Sequence, residues 1–473
     1  MNILGINILD AIVEAGLMFL IVFTPFAFGA VEMWAYTVME LTVLLLVAAW
    51  VIRMLAVDGE IRIPRTSLNI PIILFVCLIL LQLTPLPGAV LKVISPAALD
   101  AYTGTYRAVN AGHHMAVRIS NTISLDTHAT GTELLKILTY TGGFFLVIGN
   151  ITTGKQKNRL LAAIIATGFL LAVFGLIQRF TWNGKVYWFR DLTHGGSPFG
   201  PFVNKNNFAG YINLIIPVSL GMVMAERDKG KKLILGFMTV VMAAALFLSL
   251  SRGGMFAFLG AMASMEILLM LTGYEGGHRK GLAVIGAFLI LLLLYLVYTG
   301  IDPVMDRIAT LAEKDTYLGQ RRWAVWSAAT GIIRDYPLAG TGLDTFEAVF
   351  PGYQPLEVSG LRWPDAHNDY IQFAAETGIA GALTALAFFG ILFRRAFSSL
   401  NNQEHGPRKY LLTGLLAAVV AFLLSIVSTS DIRIPADALL FAVILAMVVK
   451  LSAPKRQEFG AECASGLREN EGC

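Results

Sequence analysis

Charge is what this sequence has least of. Asp, Glu, Lys and Arg make up 14% of its 473 residues and 56% are hydrophobic, where a soluble globular chain is about 25% charged. That balance excludes an ordinary water-soluble protein. The net charge of +4 follows from a topological bias in where Lys and Arg fall and implies no nucleic-acid partner. Cysteine is nearly absent too. Cys77 lies in an apolar run, and Cys463 and Cys473 lie in a polar C-terminal stretch. No disulfide framework or metal-ligand spacing results, and redox chemistry is not indicated. Internal repeats and low-complexity tracts are missing beyond the hydrophobic periodicity itself.

Long apolar runs fill the space that charge leaves. They fall at about 11–30, 34–52, 68–87, 134–151, 160–180, 207–225, 232–250, 253–272, 281–300, 370–393, 410–428 and 436–451, each close to the roughly 20 residues a helix needs to cross hydrocarbon. The expectation is an all-α polytopic membrane protein of about 12 transmembrane helices, with a large periplasmic loop between helices 9 and 10. A bundle over 1–452 would be followed by a disordered cytoplasmic tail over 453–473. The first run lacks a basic leader and is expected to stay as a span.

Basic residues orient the chain. Arg53, Arg62 and Arg65, then Lys155, Lys157 and Arg159, Arg227 to Lys232, Arg279 and Lys280, Arg394 to Lys409 and Lys450 fall in alternate loops. The short loops between hold Glu32, Arg252, or Arg433 between Asp431 and Asp437. The positive-inside rule then puts both termini in the cytoplasm. Outer loops are expected at about 88–133, 181–206 and 301–367.

Polar residues that topology does not require gather on the outer side. In "PDAHNDYIQFAAETGIAGAL", Pro364 and Asp365 read as a helix start with Asp365 as N-cap and His367 in the first turn. His367 then shares a face with Ile371, Ala374, Gly378, Gly381 and Ala385, small residues that let a neighbouring helix approach. It is either a proton acceptor at the end of a packed seam or a histidine that merely caps a loop. In "LSLSRGGMF", Arg252 opens a helix beside free backbone N–H groups. That suits a phosphate, although an arginine snorkelling to headgroups has the same appearance.

Further along, "RRWAVW" places Arg322 and Trp326 one helical turn apart, so Arg321 or Arg322 can meet an anionic headgroup or simply flank an aromatic belt. Gly340-Thr341-Gly342 lacks the Lys-Ser/Thr that a nucleotide loop needs. The stretch "YWFRDLTHGGSPFGPFVNKNNFAGY" gathers Arg190, His194, Lys205, Asn206 and Asn207 with the aromatics Tyr187 and Trp188. Such a set can hold sugar hydroxyls or form a plain structured loop. Arg107, His113, His114 and Arg118 show no spacing that carries chemistry.

Taken together, these segments resemble the O-antigen ligase and polymerase family, membrane glycosyltransferases that act on undecaprenyl diphosphate-linked glycans. His367-Asn368, nine residues, Gly378, two residues and Gly381 is similar to the ligase pattern. "RRWAVW…RDYPLAGTGLDTF", "LSLSRGG" and "GPFVNKNNFAGY" are similar to family segments, and the likeness runs from about 120 to 452. The resemblance implies metal-independent, inverting glycan transfer at the periplasmic face of a bacterial inner membrane, without a cofactor. It implies His367 as general base and Arg252 with Arg322, or its neighbour Arg321, on the diphosphate. Arg190, Lys205, Asn206, Asn368 and Arg362 are candidates for glycan or acceptor contacts. The implied partners are the lipid-linked glycan, an acceptor glycan or lipid A core, and membrane lipid.

The His-Asn pattern favours a ligase, whereas Arg362, fifteen residues and Gly378 is similar to a polymerase motif. A transporter or flippase is the non-enzyme alternative, expected to carry charge near mid-membrane. A metal-dependent transferase would want an Asp-x-Asp in an early outer loop, where only Glu32 stands.

Overall fold

The computed structural model describes residues 3–110, 121–192, 196–272, 317–403 and 406–453, with the isolated positions 286 and 290. The expected span at 281–300, His113, His114, Arg118, His194, the start of the large loop and the tail from 454 lie outside these residues.

The described chain is helical. Helices α1 (Ile3–Phe26), α2 (Met33–Asp58), α3 (Asn69–Leu83), α4 (Gly88–Ile94) and α5 (Pro96–Asn110) lead into α6 (Thr127–Asn150), α7 (Gly154–Phe180), α8 (Lys205–Ala225), α9 (Lys229–Leu248) and α10 (Arg252–Leu271). Within the large loop lie α11 (Tyr317–Asp335) and the single turn α12 (Phe346–Val349), and after it come α13 (Asp369–Asn402), α14 (Pro407–Ser425) and α15 (Pro435–Ser452). Starts are set by polar caps: Asp126 accepts from the N–H groups of His128 and Ala129, Thr153 and Gln156 form a capping box, and Ser251 accepts from Gly254 N.

Among the described residues, ten helices are long and apolar enough to cross a membrane: α1, α2, α6 to α10 and α13 to α15. The run at 68–87, expected as a span, forms α3 of 15 residues, about 22 Å long, which is short of a hydrocarbon core about 30 Å thick. The first large loop is also shorter than expected, because α6 begins at Thr127 and α4 and α5 fold within it.

Helices α8, α14 and α15 are apolar all round and buried along nearly their whole length. A Cβ on Gly414 would stand 2.4 Å from Pro217 O, so α8 and α14 meet backbone to backbone. The outer helices expose Leu44, Leu45, Leu233, Phe237 and Leu386, the kind of apolar surface that lipid covers.

The two ends of the bundle differ. At one, Arg53 pairs with Asp10 at 2.6 Å and Arg159 grips Glu14 at 2.5 and 2.7 Å. Glu14 is only 6% exposed. Lys450 closes the same end by donating to Ile148 O. At the other end, Gly29 packs on Phe202 and Ile434, and here the large loop folds back onto the bundle.

Candidate functional site

The break in α13 organises this second end. Gly378, inside the helix, takes φ 61° and ψ −160°, a conformation open essentially only to glycine. The break leaves backbone groups of the helix without helical partners, and residues 337–342 supply them. Ile379 N donates to Pro337 O at 2.8 Å and Ala380 N to Leu338 O at 3.1 Å. In return Thr341 N and Gly342 N donate to Ala375 O and Glu376 O, each at 3.1 Å. Gly340, at φ 68°, is needed because a Cβ there would stand 2.2 Å from the carbonyl carbon of Glu376. The Pro-Leu-x-Gly-x-Gly run is therefore a backbone plug for a broken membrane helix. From α3, Gln82 ties the joint by donating to both Ala339 O and Glu376 O at 2.8 Å.

Above the break, His367 departs from its expected place. Asn368, not Asp365, is the N-cap: its Oδ1 accepts from Tyr370 N and Ile371 N at 3.1 Å. His367 thus lies outside the helix, in the left-handed region at φ 52°, and does not share the Gly378 face. Asp365 is free to turn toward Arg433, whose Nε is 3.5 Å from it. The residue just before His367 is held on both sides. Trp326 Nε1 donates to Ala366 O at 2.8 Å, and Ala366 N donates to Gln372 Oε1 at 2.9 Å.

His367 lines a cavity of about 170 Å3 with Asp365, Arg433, Ser428, Asn204 and Asn206 among its walls. Arg322, one turn before Trp326 on α11, donates to Ser428 O at 3.1 Å. The start of α10 abuts the same wall. Ser251 Oγ donates to Asn206 Oδ1 at 2.8 Å, and a Cβ on Gly253 would stand 2.4 Å from Ser428 Oγ. Arg252, between these two residues, is the first residue of α10. His367 and Arg433 therefore line the opening, while Arg322 and the α10 start that carries Arg252 lie behind its wall, each against Ser428. Such a set can accept a proton and stabilise an anion.

Electrostatics favour a neutral imidazole. Burial, and then the nearby Arg322 charge, lower the His367 pKa from its ordinary value, against a smaller upward pull from Asp365. Burial also lowers the Arg322 pKa, which stays far above neutrality. Arg433 is raised: burial opposes its charge, but Glu376, Asp365, Asp344 and Asp369 outweigh it. Its Nη2 donates to Glu376 at 2.6 Å and its Nη1 pairs with Asp344. Asp431, wholly buried against Gly210, is pushed up to about 6 by burial.

The remaining sequence candidates divide. Asn206 lines the cavity and Asn368 caps α13 beside it. Lys205 faces a second cavity of about 300 Å3 with Arg179 and Trp182. Arg321 precedes Arg322 on α11, half-buried, and does not line the His367 cavity. Arg190 pairs with Glu32 and stands 4.1 Å from the Phe28 ring centroid, while Arg362, exposed, pairs with Glu347. Neither lines the cavity. Sequence reasoning missed Arg433, Glu376 and Gln372. Arg433 carried the signal that singled out Arg252, an arginine on the side where basic residues are scarce. Glu376 carried another, a carboxylate inside an apolar run.

Residues 237–386 match the family described as O-Antigen ligase, so a domain of that family is present over roughly a third of the chain. The matched stretch includes Arg252, Arg322, the 337–342 plug, His367 and Gly378, whereas Asn204, Asn206 and Arg433 fall outside it. No curated protein matches the chain.

Proposed function

We propose that this protein is a membrane glycosyltransferase that moves a glycan from undecaprenyl diphosphate to an acceptor hydroxyl at the periplasmic face, and that its acceptor is lipid A core, as for an O-antigen ligase. The observation that supports the reading is that Arg322 and the Arg252 helix start both pack against Ser428, which lines the same opening as His367. Breaking a glycosyl–diphosphate bond requires stabilisation of a departing anion, and two guanidiniums with a helix N-terminus supply it. The acceptor hydroxyl needs a base, and a histidine kept neutral by burial and a neighbouring cation meets that need. The hydroxyl oxygen attacks the anomeric carbon, His367 takes its proton, and the diphosphate leaves with the bonding electrons on the opposite side, inverting the centre.

Orientation belongs to the same proposal. The basic loops around Arg53, Arg159 and Lys450 cluster at the end of the bundle away from His367, which supports a cytoplasmic basic end and a periplasmic His367. The ligase reading is preferred to the polymerase reading because the α13 break accounts for Gly378 and Arg362 faces Glu347, so the Arg-to-Gly spacing gains no geometric meaning.

The test is a deletion strain complemented with wild type or His367→Ala. A ligase mutant accumulates long glycan on undecaprenyl diphosphate over bare core. Core capped by single repeat units would replace the ligase with a polymerase. Near-normal glycan display from His367→Ala at equal expression would remove the base assignment.

A further inference from the structure

The backbone of His367 lies in the left-handed region at φ 52°, which only a few per cent of non-glycine residues adopt. Nothing in its own side chain imposes that conformation, so its neighbours must. Two tethers act on the preceding residue, Ala366, one through its N–H and one through its carbonyl. Trp326 donates to the carbonyl and Gln372 accepts from the N–H. Gln372 is wholly buried and has an ambivalent amide, with one end that donates and one that accepts. Which end faces Ala366 decides whether the turn is held or repelled.

Glu376 makes that decision. One turn further along α13, its buried carboxylate accepts from Gln372 Nε2 at 3.1 Å, which aims the Gln372 oxygen back at Ala366 N. A carboxylate has only acceptors, so the amide cannot sit the other way round. Glu376 is in turn kept an acceptor by Arg433 at 2.6 Å and by the N–H groups of Asp344 and Phe346 at 3.0 and 3.2 Å. The same Arg433 reaches Asp365, two residues before His367, so the buried carboxylate holds the turn from both sides.

We propose that Glu376 and Gln372 are positioning residues, a relay that fixes the backbone of Ala366 from its N–H side and thereby aims the His367 imidazole into its cavity. The broken helix serves the site through this relay: the plug that fills the Gly378 break also delivers Asp344 N and Phe346 N to Glu376. The inference rests on the reading of His367 as base, but its geometry can be tested apart from transfer.

The experiment uses the full chain in detergent, with Gln372→Met and Gln372→Glu. Two quantities are read: carbethoxylation of His367 by diethylpyrocarbonate, resolved by peptide mass spectrometry, and the kinetics of transfer from a lipid-linked glycan. Methionine removes both hydrogen bonds at nearly constant volume, whereas glutamate keeps the shape and an acceptor but loses the donor to Glu376. For Gln372→Met, kcat should fall about 100-fold with little change in KM, the loss expected when a reacting group is misplaced by about 1 Å. His367 carbethoxylation should change several-fold in rate. Gln372→Glu should show the same losses, because an oxygen then replaces the Nε2 donor that faces Glu376.

Unchanged carbethoxylation and kcat in Gln372→Met would overturn the relay. Altered carbethoxylation in Gln372→Met, with a wild-type protein that transfers no glycan, would uphold the relay and overturn the transferase reading instead. Should Gln372→Met not fold, Trp326→Phe removes the other tether on Ala366 and carries the same expectation and the same refuting result.

Discussion

Alanine at Gly378 and alanine at Gly390 should act in opposite directions on one helix. At Gly378 the backbone lies where φ is 61° and ψ −160°, and holding a side-chain-bearing residue there costs about 2 kcal/mol. Its Cβ would also stand 2.6 Å from the Leu338 carbonyl. That contact is backbone to backbone, so no rotamer change relieves it and the plug must withdraw. The four hydrogen bonds between plug and helix are each worth about 0.5–1.5 kcal/mol net, and losing them costs at least about 2 kcal/mol more. The total, about 4 kcal/mol, is a large part of an ordinary stability of about 5–15 kcal/mol.

At Gly390 nothing lies within 4 Å of an added Cβ, and a helical backbone gains about 0.5–1 kcal/mol from alanine. Thermal unfolding of both variants in detergent, followed by tryptophan fluorescence, should lower the midpoint by several degrees for Gly378→Ala and raise it slightly for Gly390→Ala. If the two variants melt together, the break carries no stability and the plug is incidental.

Activity should rise with pH through the His367 pKa and level off above it, because that pKa is lowered and only the neutral ring accepts a proton. Arg322→Gln should move this acid limb of kcat/KM to higher pH and Asp365→Asn to lower pH; shifts in the reverse directions would remove His367 as the titrating group. Arg252→Lys should weaken binding of an undecaprenyl diphosphate analogue, since lysine lacks the planar fork that grips two phosphate oxygens. Arg322→Ala should weaken it as well, and unchanged affinity in both would leave these arginines as interface anchors. Transfer should persist in EDTA, because the arginines supply the charge that the leaving diphosphate needs. Activity lost to EDTA and restored by a divalent ion would reopen the metal-dependent class.

Ten of the twelve expected spans were legible because lipid permits few alternatives: a backbone that cannot meet water must close its own hydrogen bonds, and apolar runs of the right length report that constraint. Arg322 and Trp326 were legible as neighbours on one helix face, although the partner that gives Trp326 its meaning, Ala366 O, is set by tertiary packing. The start of α13 was misplaced because Asp365 and Asn368 are both good caps, and only the pull of Arg433 on Asp365 separates them. Gly378 reads in sequence as a small residue on a packing face. Its left-handed geometry depends on a loop almost forty residues away, and no local pattern carries that information. Glu376 was hidden for a related reason: a carboxylate in an apolar run is noticed, but its donors come from α13, the loop and the Asp431–Arg433 turn together.

The plugged break also bears on how such proteins can be recombined. The line between membrane helices and the large loop invites a chimera in which one bundle receives another protein's loop. Here that line runs through a shared set of backbone bonds, since α13 is continuous only with residues 337–342 in place. A graft ending at the membrane surface would part the plug from its socket and leave polar backbone exposed within the bundle. The exchangeable unit runs from the start of α11 past Gly378 to at least Ala380, and it must bring a bundle whose turn supplies the equivalent of Arg433.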